Sequence, residues 1–408
     1  MRIVHINNID LTGARFNGHD MQVALNRMGH QAHQFVFGKQ GIDANTICIG
    51  SSAETYILRD HCKEFENSLS LQTTIYPFGT EIMRHEVFLH ADVVHCHLIH
   101  NHFMSLYDFA EMSRLKPLVW TIHDPWAVTG HCVYPIDCQK WINGCSNCHN
   151  LNKMLPMRED NTALMHDIKK SVYAQLTVDV VVASDWMKDL LSSSPLTGHF
   201  KNVHKIPFGI STDVFSNTQN KLAIRKSLGI NEDSFVMFFR SDDNEFKGLY
   251  RVKEMLRCLP NGYHITLLTV GMTDLLVEFM DRYDVIGFDW MNDEQKLAQL
   301  YAASDVFLMP SVAEAFGMMA IEAMACGIPV IVYAGTSLPS VTYAPACGIV
   351  VSGEDGKVFA AAVERLIKSP EERTCRGQLG RELAFEHYRF EDYVNRHIAL
   401  YEDILERQ

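Results

Sequence analysis

The sequence predicts an α/β fold, and predicts it twice over. Three observations carry this. The chain has 408 residues, more than one hydrophobic core usually serves. Short apolar runs rich in β-branched residues alternate with stretches of helical spacing, the pattern of a buried parallel sheet covered by helices. The alternation breaks at Ile206-Pro-Phe-Gly-Ile-Ser-Thr-Asp213 and then starts again.

In chain order, Ile3–Asn7 reads as the first strand. Asp20–Met28 has helical spacing and ends at Gly29, a residue suited to the left-handed position after a helix. His33–Phe37, Val93–His97, Leu118–Ile122 and Val178–Ala183 continue the strand series. After the break come the strands Phe235–Phe239, Ile265–Thr269, Val306–Met309 and Val330–Val332, with helices such as Gly248–Arg257 and Asp293–Ala303 between them. The last helix is expected over Phe390–Glu406, with Val394, Ile398, Tyr401 and Leu405 near one face. The expected domains are 1–205 and 206–387, with a C-terminal helix 388–408 packing back on the first. Two such domains facing each other would form an interdomain cleft, a common ligand site.

Composition narrows the function. Hydrophobic residues make up 47% and charged residues 21%, ordinary values for a soluble globular chain. The formal net charge of −13 argues against nucleic-acid binding, which needs a basic face. Residues 206–408 carry 29 acidic and 19 basic residues, against 20 and 17 in 1–205. The first half is thus better able to approach an acidic lipid surface. It also holds 17 of the 20 histidines, which points to polar chemistry there. No apolar run reaches the roughly 18 residues that span a bilayer, and the start lacks the features of a signal peptide. The expectation is a cytoplasmic protein, with contact at the inner face of the membrane left open. Its 11 cysteines then point to thiols or a metal before disulfides.

The dinucleotide, P-loop, esterase and zinc-protease motifs are all missing. The informative segment is Pro310-Ser-Val-Ala-Glu314-Ala-Phe-Gly317-Met-Met-Ala-Ile-Glu322-Ala-Met-Ala-Cys-Gly327-Ile-Pro329. A strand ends, a loop follows, and a helix starts near Gly317 and stops at Gly327 with Pro329 beyond. Unpaired amides at a helix start attract phosphate, and glycine allows close approach. Glu314 and Glu322 bracket those amides. Carboxylates only accept hydrogen bonds, so they suit sugar and ribose hydroxyls. A diphosphate also needs cations, and Arg240 and Lys247 follow the first strand of the second series, where open α/β sheets bind ligands. They could offset charge on a leaving group. Taken singly, each basic residue reads as a solvated charge and Glu322 as an exposed helix glutamate.

Glu-x7-Glu followed by Ala-Met-Ala-x-Gly-x-Pro-Val, with the upstream Arg and Lys-Gly, resembles the retaining family 4 glycosyltransferases. That resemblance implies the GT-B fold: two facing Rossmann-like domains with an interdomain cleft, the donor held mainly by the C-terminal one. Pro207-Phe-Gly-Ile-Ser-Thr-Asp213-Val-Phe215 is similar to the family's interdomain segment, but has Ser211 where the family usually has aspartate. The resemblance further implies that Glu322 binds the ribose, that Glu314 contacts the donor sugar, and that Phe316, Gly317, Met318 and Met319 line the donor pocket. Arg240 and Lys247 would grip the diphosphate. It implies no catalytic metal, since the basic pair supplies the charge; the chain also has no Asp-x-Asp segment.

On the acceptor side, His123 in Val119-Trp-Thr-Ile-His123-Asp124 follows a strand and matches the family histidine beside the reacting sugar; the bland reading is a structural loop histidine. His95 and His97 read as structural or cleft-lining. Gly13, in the first turn Asn8–Arg15, stands where the family has a glycine-rich loop. Cys132, Cys138, Cys145 and Cys148 follow the spacing C-x5-C-x6-C-x2-C inside an insertion over 130–150. A structural zinc, free thiols and disulfides all fit that spacing, with His131 and His149 as substitute ligands. The block is similar to one in a subset of bacterial exopolysaccharide and O-antigen (lipopolysaccharide) transferases.

The leading expectation is a retaining glycosyltransferase. It would move a sugar from a UDP- or GDP-linked donor to a glycan or lipid-linked acceptor in surface polysaccharide biosynthesis. A sugar-nucleotide epimerase, a phosphorylase and a non-catalytic nucleotide-sugar-binding partner are the competing readings. Peripheral membrane contact would run through Phe103–Leu115, whose alternative reading is a buried helix.

Overall fold

The computed structural model describes residues 1–153, 155–216 and 220–407. The chain divides into two compact units, one of Met1–Ile206 together with the segment from Tyr393 onward, the other of Pro207–Asp392.

The first unit holds a seven-stranded sheet: β1 (Arg2–Ile9), β2 (Gln31–Gly38), β3 (Thr46–Cys48), β4 (Val93–Cys96), β5 (Leu118–Thr121), β6 (Asp179–Val182) and β7 (Val203–Lys205). Their order is β3-β2-β1-β4-β5-β6-β7, and every pairing is parallel. The second unit holds six parallel strands: β8 (Phe235–Ser241), β9 (Ile265–Gly271), β10 (Asp284–Phe288), β11 (Val306–Met309), β12 (Val330–Tyr333) and β13 (Gly348–Val351). Their order is β10-β9-β8-β11-β12-β13. In both sheets the strand order reverses once, between β1 and β4 and between β8 and β11. Crossovers leave that point in opposite directions, so a crevice opens at the strands' carboxyl ends.

The strands form where the sequence is β-branched and apolar on both faces. β4, β5, β11 and β12 are buried at every position, as a sheet covered by helices on both sides requires. Alternation alone does not reveal β3 and β7, which have only three residues each, nor β10, which is half-exposed throughout. Serine and aspartate side chains close several helix starts: Ser105 accepts from the Asp108 amide, Ser184 from Met187 and Asp293 from Lys296. Each satisfies an amide that the first helical turn leaves without a partner.

The last helix, Phe390–Glu406, buries Tyr393, Val394, His397, Leu400, Tyr401 and Ile404. Within the first unit, the Tyr401 hydroxyl meets His95 Nδ1 at 2.7 Å and Arg407 pairs with Asp179 at 2.9 Å.

The helix Leu106–Leu115 buries Leu106, Phe109, Ala110 and Met112, and Phe103 and Met104 just before it are fully buried. Its apolar face is core, the buried-helix alternative of the two readings. Tyr107 and Leu115 at its ends are exposed, as are Tyr56, Ile57, Leu58 and Phe65 on the helix Ala53–Ser68. No helix among the described residues is long and apolar enough to cross a membrane.

Candidate active site

The second unit gathers its candidate residues at the β8/β11 reversal. β8 runs through Arg240 to Ser241, with Arg240 paired to Val270, so Arg240 lies inside the strand's last turn and not beyond its end. Its guanidinium lies over the exposed Trp290 ring at 4.5 Å and pairs with Asp242. Its Nε is buried with no hydrogen-bond partner among the described residues. An orphaned charged donor costs free energy unless an acceptor arrives.

After β8 the chain makes one 3-10 turn, Glu245–Lys247, and reaches Gly248 at φ 72°. A Cβ at Gly248 would stand 2.1 Å from the Pro310 carbonyl oxygen, so only glycine lets these two loops touch. The Val312 amide donates to the Phe246 carbonyl at 2.9 Å. Together these contacts bring Lys247 Nζ to 3.1 Å from Glu314 Oε2. Both side chains keep part of their surface exposed.

The Glu314–Gly317 loop is stapled by Ser337, whose hydroxyl donates to the Glu314 carbonyl at 2.9 Å and stands 3.2 Å from that of Phe316. Sequence reasoning missed Ser337 because it belongs to the loop after β12, far away in the chain. The helix Met318–Ala325 starts from Gly317 at φ 105°. A Cβ there would meet Leu338 Cδ2 at 2.4 Å, so packing alone already demands the glycine. The helix ends with Gly327 donating to Met324 and Ile328 to Ala323, the paired bonds of a Schellman stop.

Phe316 turns its ring into the core, edge-on to Phe208 at 5.1 Å, so only its backbone remains to line a pocket. Met318 and Met319 are half-buried. Glu322 is 0% exposed. The reading of it as an exposed helix glutamate is therefore overturned. Tyr301 donates its hydroxyl to Glu322 Oε2 at 2.9 Å and stands 3.0 Å from the Met319 carbonyl. The covered carboxylate anchors the start of this helix to the helix Glu294–Ala303, which carries Tyr301.

The first unit has its own constellation at the β1/β4 reversal. His5 and His95 are register partners on β1 and β4, and His97 lies two residues on, so all three share one sheet face. His123 follows β5. His97 Nδ1 faces His123 Nε2 at 3.2 Å, and burial holds the His123 imidazole down at about 4. Burial pushes the Asp124 carboxyl up, but His100 and the Trp126 amide outweigh this and its pKa is lowered. Residues His97, His100, His123, Asp124 and Trp126 line a small pocket open to solvent. The first-turn loop packs on this group through Phe16, 5.6 Å from the His123 ring. Gly13 (φ 76°) makes room for Phe16, since a Cβ there would meet that ring at 2.7 Å. Asn17 ties the loop with bonds to the carbonyls of Ile9, Asp10 and Thr12.

No disulfide joins Cys132, Cys138, Cys145 or Cys148. Cys145 Sγ accepts from the Gly130 amide at 3.1 Å and Cys148 Sγ from Asn150 at 3.4 Å. Burial pushes the Cys132 thiol up to about 12. Among the described residues, three metal-type donors lie within 4.8 Å of one another at His5, His95 and His97; no three of the four cysteine sulfurs are gathered so closely. Beside the block, the buried Lys169 donates to the carbonyls of Trp126 and Thr129 at 2.7 and 2.9 Å. It sits 3.4 Å from the centre of the Trp126 ring, and burial lowers it to about 7.

Residues 220–383 match the family described as glycosyl transferases group 1. The putative colanic acid biosynthesis glycosyl transferase WcaC of Escherichia coli K12 is 23% identical over 249 residues, 59% of this chain and 59% of that protein. The chain thus spans less than two thirds of this relative. Two solved structures share the fold. A sucrose-phosphate synthase from Thermosynechococcus elongatus superposes with a TM-score of 0.72 at 20% identity, covering 100% of this chain and 99% of that one. Anabaena HepE, solved in complex with UDP-glucose, gives 0.64 at 15% identity, covering 100% and 99%. The two Rossmann-like units are those of the GT-B class.

Proposed function

We propose, for a chain whose residues 220–383 carry a glycosyl transferases group 1 domain, that it is a retaining glycosyltransferase. It takes a sugar from a UDP- or GDP-linked donor and places it on a glycan or lipid-linked acceptor in surface polysaccharide synthesis, in the cytoplasm at the inner face of the membrane. One observation supports this above the rest. At the β8/β11 reversal a lysine pairs with a carboxylate in the loop before a glycine-started helix, and β8 carries near its end an arginine whose Nε is buried without a hydrogen-bond partner among the described residues.

Each group has a task that its chemistry suits. Arg240 and Lys247 hold the diphosphate and offset the charge that grows as the anomeric C–O bond breaks. Such cations do what a divalent metal does elsewhere. Glu314, oriented by Lys247, accepts from donor-sugar hydroxyls, and the backbone of Phe316, Gly317, Met318 and Met319 lines that pocket. Glu322 accepts from the ribose once its cover opens, sharing its carboxylate with Tyr301. His123 contacts the reacting sugar, and the Gly13 loop approaches the diphosphate. The WcaC likeness supports a polysaccharide product, and the HepE complex supports a UDP-sugar donor.

A panel of UDP- and GDP-sugars, read by thermal shift and by transfer to lipid-linked acceptors, tests the reading. A specific nucleotide sugar should raise the melting temperature, and Glu314→Gln should abolish transfer while sparing the fold. If no donor binds and Glu322→Ala changes nothing, the reading fails.

The cysteine block is proposed to take a structural zinc. Two amides already donate to its sulfurs, and a buried lysine beside them suits the negative charge of four thiolates. Zinc would draw the sulfurs together. Elemental analysis of protein purified without added metal should find about one zinc per chain; none, with four titratable thiols, would refute it.

A further inference from the structure

Two residues of the pocket beside His123 have no task in the reading above. His100 follows β4 and Asp124 follows β5. Both stand at the carboxyl ends of neighbouring strands, beside the reversal, where open sheets bind ligands. His100 Nε2 lies 3.3 Å from Asp124 Oδ2, and the two side chains are only 9% and 12% exposed, so water competes little for the contact. The other carboxylate oxygen, Oδ1, accepts from the Trp126 amide at 2.9 Å. The His100 ring stacks on Trp126, with ring centres 4.7 Å apart and planes 21° from parallel. The indole is fixed in turn: its N–H donates to Gln72 at 3.1 Å, and Lys169 Nζ lies 3.4 Å from its centre. The imidazole is thus held at one edge and on one face.

The pair decides where the imidazole proton sits. A carboxylate only accepts, so a bare Nε2 would set two lone pairs against each other. Nε2 therefore carries the N–H, and in the neutral ring Nδ1 keeps its lone pair. Among the described residues Nδ1 has no hydrogen-bond partner, and it is not one of the buried atoms left without one. The pocket that His100 lines is open to solvent.

We propose that His100 is an acceptor-binding residue: its Nδ1 accepts a hydrogen bond from a hydroxyl of the sugar that receives the transferred residue. Asp124 is its positioning residue, through the tautomer and ring orientation it imposes. The ligand class follows from the atoms. A lone pair beside a carboxylate takes a neutral O–H and repels phosphate oxygen, so the diphosphate of the donor does not belong there. This rests on the reading of the chain as a glycosyltransferase.

Long-range proton–nitrogen correlation spectra of histidine-labelled full-length protein at pH 8 should show His100 protonated at Nε2 and bare at Nδ1. A proton on Nδ1 overturns the proposal. Octyl glucoside and octyl galactoside, with their monodeoxy analogues, then serve as acceptors; hydrolysis of the donor by water is the reaction that needs no acceptor sugar. His100→Phe keeps the stack and removes both nitrogens. It should lower kcat/KM for the acceptor on the order of 10-fold, with donor KM and hydrolysis within about threefold. His100→Asn sets an amide oxygen near the place of Nδ1 and should recover most of the loss; His100→Ala is the second variant should His100→Phe not fold. The deoxy acceptor lacking the contacted hydroxyl should lose the same factor with the unmodified protein and nothing more with His100→Phe. Equal losses in transfer and hydrolysis overturn the proposal, as does a full further loss with every deoxy acceptor. So does donor hydrolysis with neither transfer to these glycosides nor a shift of the His100 Nδ1 resonance on adding them. If no nucleotide sugar is bound or hydrolysed, the glycosyltransferase reading itself fails, and the proposal with it.

Discussion

The two units have one topology and opposite interiors. At the strand-order reversal of the second, β8 and β11 bury Met237, Phe239, Val306 and Leu308 in a hydrocarbon cluster, and the polar groups wait in the loops beyond. At the reversal of the first, the sheet itself is polar: His5, His95 and His97 lie under the last helix, where His397 is 0% exposed and stacks on His95 with ring centres 5.5 Å apart. The second unit thus keeps a conventional core and puts its chemistry in glycine-shaped loops. The first places titratable groups where leucine and valine would normally pack. A shared fold therefore does not imply a shared response to pH or to mutation.

The largest contrast should appear in acid. Burial lowers His5 to about 3 and His397 to about 4, and holds His95 and His97 well below their ordinary value. Above pH 6.5 these rings are neutral whether folded or not, so they contribute nothing. Below it the unfolded chain takes up protons that the folded one refuses, and stability falls until the folded values are reached. At pH 5 the cost is about 2 kcal/mol for each of His5 and His397, and His95 and His97 act in the same direction, which is large against the marginal stability of a domain. The histidines of the second unit, His264 and His387, are exposed and half-buried. Hydrogen exchange at pH 5 should show the first unit opening while the second stays protected. Joint protection, or joint loss, would erase the contrast.

Lys247→Met should act on the second unit's chemistry and leave its fold alone. Loss of one charge at the leaving group is expected to lower kcat/KM on the order of 100-fold, with the melting temperature unchanged. An effect under threefold would remove Lys247 from the site.

Gly248→Ala attacks the same site through the backbone, with strain at φ 72° and a Cβ against Pro310. A loss of about 1–3 kcal/mol in the second unit is expected from denaturant midpoints. No change would mean the two loops are not held together as described.

Tyr301→Phe removes one donor to buried Glu322 and should cost about 1–2 kcal/mol. It should also weaken nucleotide binding if Glu322 serves the ribose. Stability lost without any change in binding would make Glu322 a structural anchor alone.

Much of the second unit was legible in the chain because its signals are local. Gly317, Gly327 and Pro329 punctuate a helix wherever it is packed, and Lys247-Gly248 lies one turn from its strand. The positions of Arg240 and Glu314 at strand ends followed from the same alternation. Glu322 was legible as a residue and not as an environment. Its burial depends on Tyr301, on another helix, and helical spacing cannot show which neighbour covers a face. Ser337 was invisible for the same reason.

The sequence by itself determined the α/β pattern, the place where it restarts, the last helix and the charge asymmetry, since these follow from periodicity and composition. It also showed that histidines crowd the first half. Only the tertiary structure decided what that crowding means. Strand register brought His5 level with His95, and pairing beside β5 set His97 against His123. Three residues separated by 92 and 26 positions came within hydrogen-bond distance in a row. Hydrogen bonds between distant imidazoles depend on a few ångströms of packing, and no spacing rule along one chain contains that distance.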